Sequence, residues 1–211
     1  LLKGAPEDVQ NDRKLRLALG DLAVKWTRRQ QGAEKVPGLI AAREHFAKAV
    51  ELQPDDVDSA TEALDAALQL VDIQIEAKQP ERAKDHADWA VKIGESVLQG
   101  GANTTELRLA VAKARDQRAK LSHKIQDFDA IVVDYSRSAD LLVSCAEDAK
   151  KPAEALGAAA RVYLDLALFV AEGRPIEEET RDDEALLNAY EVAKRACEMK
   201  DASRDQYTIH L

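Results

Sequence analysis

The chain is poor in most residues that punctuate or cross-link a fold. Its 211 residues hold nine glycines, six prolines, two cysteines and one methionine, and aromatics make up only 4%. An all-β sandwich needs turn residues every ~8–12 positions and many aromatic or β-branched side chains, so that class is excluded. Two cysteines, Cys145 and Cys197, cannot build a disulfide framework. Both lie in alanine-rich helical pattern and read as small buried hydrophobes. No apolar run approaches the ~18 residues of a membrane span, and the longest, around Leu166–Ala171, is bounded by the charges of Asp165 and Glu172. The first residues, Leu1-Leu2-Lys3-Gly4-Ala5-Pro6, carry neither an apolar signal block nor an initiator methionine. The chain therefore reads as a fragment of a longer one, one domain over 1–211, with a reducing, cytoplasmic setting as the default.

Alanine is abundant, at 37 positions, beside 45% apolar and 33% charged residues. That composition is too apolar for wholesale disorder and points to packed helices. The net charge of −9 is unevenly spread. Glu177–Glu184 holds six acids and one base, whereas Arg13–Arg29 holds six bases and one acid, and Glu106–Lys124 six bases and two acids. An acidic total lacks the dominant basic footprint of a nucleic-acid binder, so no nucleic-acid partner is expected.

Helical periodicity recurs along the chain. Val57, Ala60, Leu64, Ala67, Leu68, Val71 and Ile75 share one face. Leu107, Val111, Ala114, Leu121 and Ile125 form a second stripe into which Arg118 intrudes. Phe128, Ile131, Val132, Tyr135, Ala139 and Leu142 form a third, and Ala159, Val162, Tyr163, Leu166 and Phe169 a fourth. Gln31-Gly32 with Pro37-Gly38, Pro54-Asp55-Asp56, Gln79-Pro80, Gly100-Gly101, Lys151-Pro152, Gly173-Arg174-Pro175 and Asp201-Ala202-Ser203 fall between helices. Pro80 suits a first helical turn, and Asn103-Thr104-Thr105-Glu106 has capping-box form. The spacing predicts eight helices of ~15–24 residues and a ninth from Ser203.

Chemistry-bearing motifs are scarce. His45, His86, His123 and His210 stand far apart, with no His-x-x-x-His or Cys-x-x-Cys pair, so no metal or other cofactor is implied. Asp55, Asp56 and Asp58 lack the glycine and distal glutamate of a calcium loop and read as helix caps. There is no nucleophile elbow, phosphate-cradling loop or dinucleotide fingerprint. The Glu177–Glu184 acids read as a solvated loop and helix start, and Trp26 and Trp89 as packing anchors. The chain is accordingly read as non-catalytic.

One segment carries a family resemblance. Ala42, Phe46, Ala49 and Pro54 stand at the spacing of the second helix and terminus of a tetratricopeptide repeat, and Leu19-Gly20 with Ala23 is similar to the first helix. Ala83, Ala87 and Ala90 echo the spacing 41 residues after Ala42, as do Ala189, Ala193 and Ala196 near the C-terminus. His45 and His86 occupy the same place in these units. The match is strongest over Leu39–Asp56; units of 41 residues exceed the family's ~34, and Arg16 stands where the family favours tryptophan.

The resemblance implies an all-α, right-handed TPR-like α-solenoid of about four antiparallel helix pairs. Its concave groove would be lined by the first helices, here Asn11–Arg29, Val57–Lys78, Thr104–Lys124 and Ala153–Ala171. A peptide or partner segment would lie there, an acidic one being met by Lys14, Lys25, Arg28, Arg108, Arg115 and Arg118. The family's chaperone-tail clamp places a lysine and an asparagine where this chain has Leu17 and Asp21, so a chaperone-tail adaptor is not implied. The expected function is a scaffold or adaptor for a protein partner. Alternatives are a ligand-sensing regulatory domain of a larger protein, with a cavity near Arg118, and a dimerisation spacer pairing two copies through Ile176–Met199 or through the last stripe of Tyr207, Ile209 and Leu211.

Overall fold

The computed structural model describes residues 6–125, 128–148, 152–173, 187–188 and 190–195, and among them the chain is all-α. A one-turn helix α1 (Glu7–Gln10) precedes α2 (Arg13–Thr27), α3 (Val36–Leu52), α4 (Val57–Glu76) and α5 (Pro80–Gln99). These lead to α6 (Thr105–Ile125), α7 (Phe128–Asp148) and α8 (Pro152–Gly173). Residues 187–188 and 190–195 are also helical, inside the span predicted for the eighth helix. The predicted ninth helix lies outside the described residues, as do Cys197, Ala196 and the Glu177–Glu184 run.

Helix ends follow local chemistry. Asp12 caps α2 by accepting from the Leu15 N–H at 3.1 Å, and Asp56 caps α4 by accepting from the Ser59 N–H at 3.2 Å. Pro80 and Pro152 occupy first turns, where a missing N–H costs little. Two boundaries differ from expectation. Pro37 and Gly38 lie inside the first turn of α3, after a short 3-10 turn at Gly32–Lys35. Proline is tolerated there, and Gly38 lets α3 start against α2: a Cβ on it would stand 2.5 Å from Thr27 Cγ2 and 2.6 Å from the Trp26 ring. At α6 the cap is Thr104 rather than Asn103, its hydroxyl accepting from the Leu107 N–H at 3.3 Å. That shift puts Glu106 one place short of the position that closes a capping box.

The described chain divides into two compact units, Leu1–Ala114 and Arg115–Leu211, with the boundary inside α6. Within each unit consecutive helices pack on one another, α2 on α3, α3 on α4 and α4 on α5 in the first, α7 on α8 in the second. This is a helical-repeat arrangement, in which each helix buries its stripe on its chain neighbours.

The cores use the predicted stripes. In the first unit Leu39, Ala42, Phe46, Ala63, Ala66 and Leu70 are buried together, with Leu17, Val24 and Trp89 packed against them. The Phe46 ring occupies the space over Gly20, where a Cβ would come within 2.7 Å of it. The glycine and the aromatic of the resemblance thus meet across α2 and α3, and the small residue sets how closely the helices approach. Ala60, Leu64, Ala67, Leu68 and Val71 are buried, but Ile75 at the end of that stripe is exposed. In the second unit Cys145, Ala146, Ala155 and Leu156 form a cluster against which Val143 and Val192 pack.

Candidate functional site

Three groups of polar side chains stand out, and each is built by helix pairing. The first repeats. Arg16 of α2 lies 3.3 Å from His45 Nδ1 on α3, and Arg43 of α3 lies 2.8 Å from His86 Nδ1 on α5. The equivalence of the two histidines read from the sequence is therefore a shared contact, an arginine from an earlier helix at each imidazole, α2 meeting α3 in one case and α3 meeting α5 in the other. The Arg43 guanidinium also covers the Trp89 ring, 4.9 Å from its centroid. Burial first, and the neighbouring arginine second, hold both histidines below the usual imidazole range. Two cation-facing imidazoles kept neutral make a structural joint.

The second group sits in the Arg115–Leu211 unit. Asp134 of α7 is fully buried, and Arg118 donates to both of its carboxylate oxygens from Nε and Nη2, each at 2.6 Å. Arg115 donates a third bond at 2.8 Å. The side chains of Arg115 and Arg118 are only 12% and 22% exposed. Two guanidiniums on one buried carboxylate compensate its desolvation, which a single unpaired partner could not do. Beside it the Tyr135 hydroxyl is raised by burial and by Asp165 and Asp116. The Tyr163 hydroxyl, donating to Asp140 at 3.2 Å, is pushed up to about 12.

The third group lines a cleft of about 580 Å³ in the Leu1–Ala114 unit. The first helices of successive pairs supply most of it: Arg13, Leu17 and Asp21 from α2, Val57, Asp58, Ser59, Thr61 and Glu62 with the cap Asp56 from α4, and Thr104 with Glu106 at the start of α6. Phe46 reaches it from α3. Asp56 is engaged, capping α4, bonding the Ser59 hydroxyl and pairing with Arg13. Burial alone would raise its carboxyl, but the bonds from Ser59 and Arg13 carry it below the ordinary carboxylate value. Glu62 moves the other way: desolvation first, then Asp65, Asp21 and Asp58, raise its carboxyl, and Arg28 opposes them. Asp58 and Glu62 are one turn apart on α4, an unfavourable like-charge pair.

Of the six cations singled out by sequence, Arg115 and Arg118 meet on one carboxylate, Asp134. Lys14, Lys25 and Arg28 are exposed on or just after α2, and only Arg28 acts on a cleft residue, Glu62. Arg108 is 8% exposed, with a guanidinium nitrogen 3.4 Å from the Thr105 hydroxyl. Arg115 and Arg118 belong to the Asp134 cluster. None of the six lines the cleft; Arg13, next to Lys14, does. Sequence reading missed the carboxylates facing one another across α2 and α4, although Asp21, alone in a basic stretch, and the Asp56–Asp58 caps were in view.

Among the described residues no group of three or more histidines, cysteines, aspartates or glutamates could hold a metal ion, and no helix is long and apolar enough to cross a membrane. No protein-family model matches the chain, and neither does any curated protein. A crystal structure of a de novo designed helical repeat protein is similar to it at 19% identity, covering 95% of this chain and 98% of that one, with a TM-score of 0.44.

Proposed function

We propose that the chain is a non-catalytic interaction module, a tetratricopeptide-like array that holds a peptide or partner segment against the faces of α2, α4 and the start of α6. One observation carries this reading: the 580 Å³ cleft opens on the first helices of successive pairs, mixes apolar and ionised side chains, and is large enough for several residues of a bound segment. Solenoid repeats use that side for extended partners because each pair adds another stretch of surface. The cations of the Asp134 cluster have a structural task in this scheme, so the cleft, rather than Arg115 and Arg118, is where contact with a partner is made.

The test is selection from a random dodecapeptide library on the natural chain and on Val57→Trp, which fills the cleft from its α4 edge. Expected are peptides that bind the natural chain and lose at least about tenfold in affinity, roughly 1.4 kcal/mol, on the variant while its helicity is unchanged. If both proteins select the same peptides with the same affinity, or neither selects any, the interaction reading fails.

A further inference from the structure

The charge and shape of the cleft identify the chemistry of what enters it. Its apolar lining is Leu17 and Val57, with the buried Phe46 beneath, and it also carries Asp21, Asp58, Glu62 and Glu106. The remaining carboxylate, Asp56, already has Arg13 as counter-ion. The lining carboxylates come from three helices and face the same space. Around Glu62 that crowding is felt directly, since Asp21, Asp58 and Asp65 all disfavour its ionised form against the single opposing pull of Arg28. A cation entering the cleft would supply counter-charge that the chain itself provides sparingly.

We infer that this cleft takes a basic polypeptide segment in which arginine or lysine alternates with apolar side chains, the cations meeting Asp21, Asp58 and Glu62 and the apolar groups covering Leu17 and Val57. The inference rests on the interaction reading and narrows it, reversing the sign expected from the basic helix stripes. Alternation suits the site because an extended segment points successive side chains to opposite sides, one row toward the apolar lining and one toward the carboxylates. The aliphatic stems of arginine and lysine also pack on apolar surface while their charged ends reach the rim. Rim charges of this kind govern encounter and sign preference, so salt should weaken the complex.

The probe is a fluorescein-labelled peptide of three alternating leucine–arginine pairs, with the leucine–glutamate counterpart as its mirror in charge. Fluorescence anisotropy at low salt should give at least about tenfold tighter binding of the basic peptide. The double variant Asp58→Asn, Glu62→Gln should lose about tenfold, while Glu76→Gln, Glu81→Gln, with the same charge change at exposed positions outside the cleft, should lose less than about twofold. Equal loss in both variants would mean a bulk charge effect and would overturn the inference. Preference for the acidic peptide would also overturn it; if that binding fell on Val57→Trp, the interaction reading would stand while its basic ligand was rejected. Binding of neither peptide would sink the basic-segment inference alone, since the library selection decides the broader reading separately.

Discussion

Asp134 and Glu62 are both carboxylates set on helix faces, and the protein treats them in opposite ways. Asp134 is withdrawn fully from water, and two arginines are spent on it. Glu62 stays at the surface among other acids, with a weak cationic neighbour and an electrostatic cost. A buried charge must be compensated for the unit to fold at all, whereas an exposed one is left uncompensated when the fold has no use for its neutralisation. The comparison separates charge that maintains structure from charge that the proposed cleft would offer a partner. Side chains selected for binding are seldom those that would maximise stability.

The comparison can be broken from either side. The largest expected effect is at Asp134. Asp134→Ala leaves Arg115 and Arg118 largely buried without their carboxylate, and urea unfolding should show a loss of about 3–5 kcal/mol. A loss below ~1 kcal/mol would mean that the cluster does not hold the unit together. Next is Gly20→Ala, which forces a methyl into the Phe46 ring and should cost about 1–3 kcal/mol, read as a fall in Tm. An unchanged Tm would show that the α2–α3 approach is not set by that contact.

A smaller effect comes from the arginine–histidine joints. His45 and His86 hold protons less tightly folded than unfolded, so the unfolded chain takes up more protons as pH falls through the ordinary imidazole value of 6.5. Stability is therefore greatest above that value and declines from pH 7.5 toward 5.5. In His45→Gln, His86→Gln the decline should flatten; denaturant midpoints at the two pH values measure it, and an unaltered slope would assign the titration elsewhere.

The smallest effect has the opposite sign. Asp58→Asn, Glu62→Gln removes a repelling pair, and it should leave stability unchanged or raise it by about 0.2–0.5 kcal/mol, less in high salt. The raised carboxyl of Glu62 gives a matching pH signature. The folded chain binds that proton more tightly, so its contribution is full below the ordinary carboxyl value of 4.5 and is lost as pH rises from there through the raised folded value. A destabilised double variant would mean that these acids support the fold after all.

Most helix boundaries and buried stripes were legible because they depend on local chemistry: Asp56 as a cap, Pro80 in a first turn, Ala42 and Phe46 on one face. The equivalence of His45 and His86 was legible too, since a shared place in a repeat is a property of spacing. What spacing along one helix cannot report is the neighbour across the gap. Arg118 looked like a charge misplaced in an apolar stripe until Asp134, 16 residues on, was found opposite it. The basic stripes of α2 and α6 suggested a positive groove for the same reason. Each was read alone, whereas the sign of a cleft is the sum over every helix that faces it, and α4 contributes the carboxylates.

The buried thiol of Cys145 gives the second unit a clock. It lies fully enclosed between α7 and α8, in the cluster on which Val192 packs. A thiol reagent reaches such a group only when the surrounding helices part, so its rate of modification counts openings of that core. In a Cys197→Ser background the loss of Asp134 would then be seen as a faster reaction at a distant sulfur, with no ligand and no denaturant. The same reading would be silent when Asp58 and Glu62 are changed, because those carboxylates belong to a different compact unit.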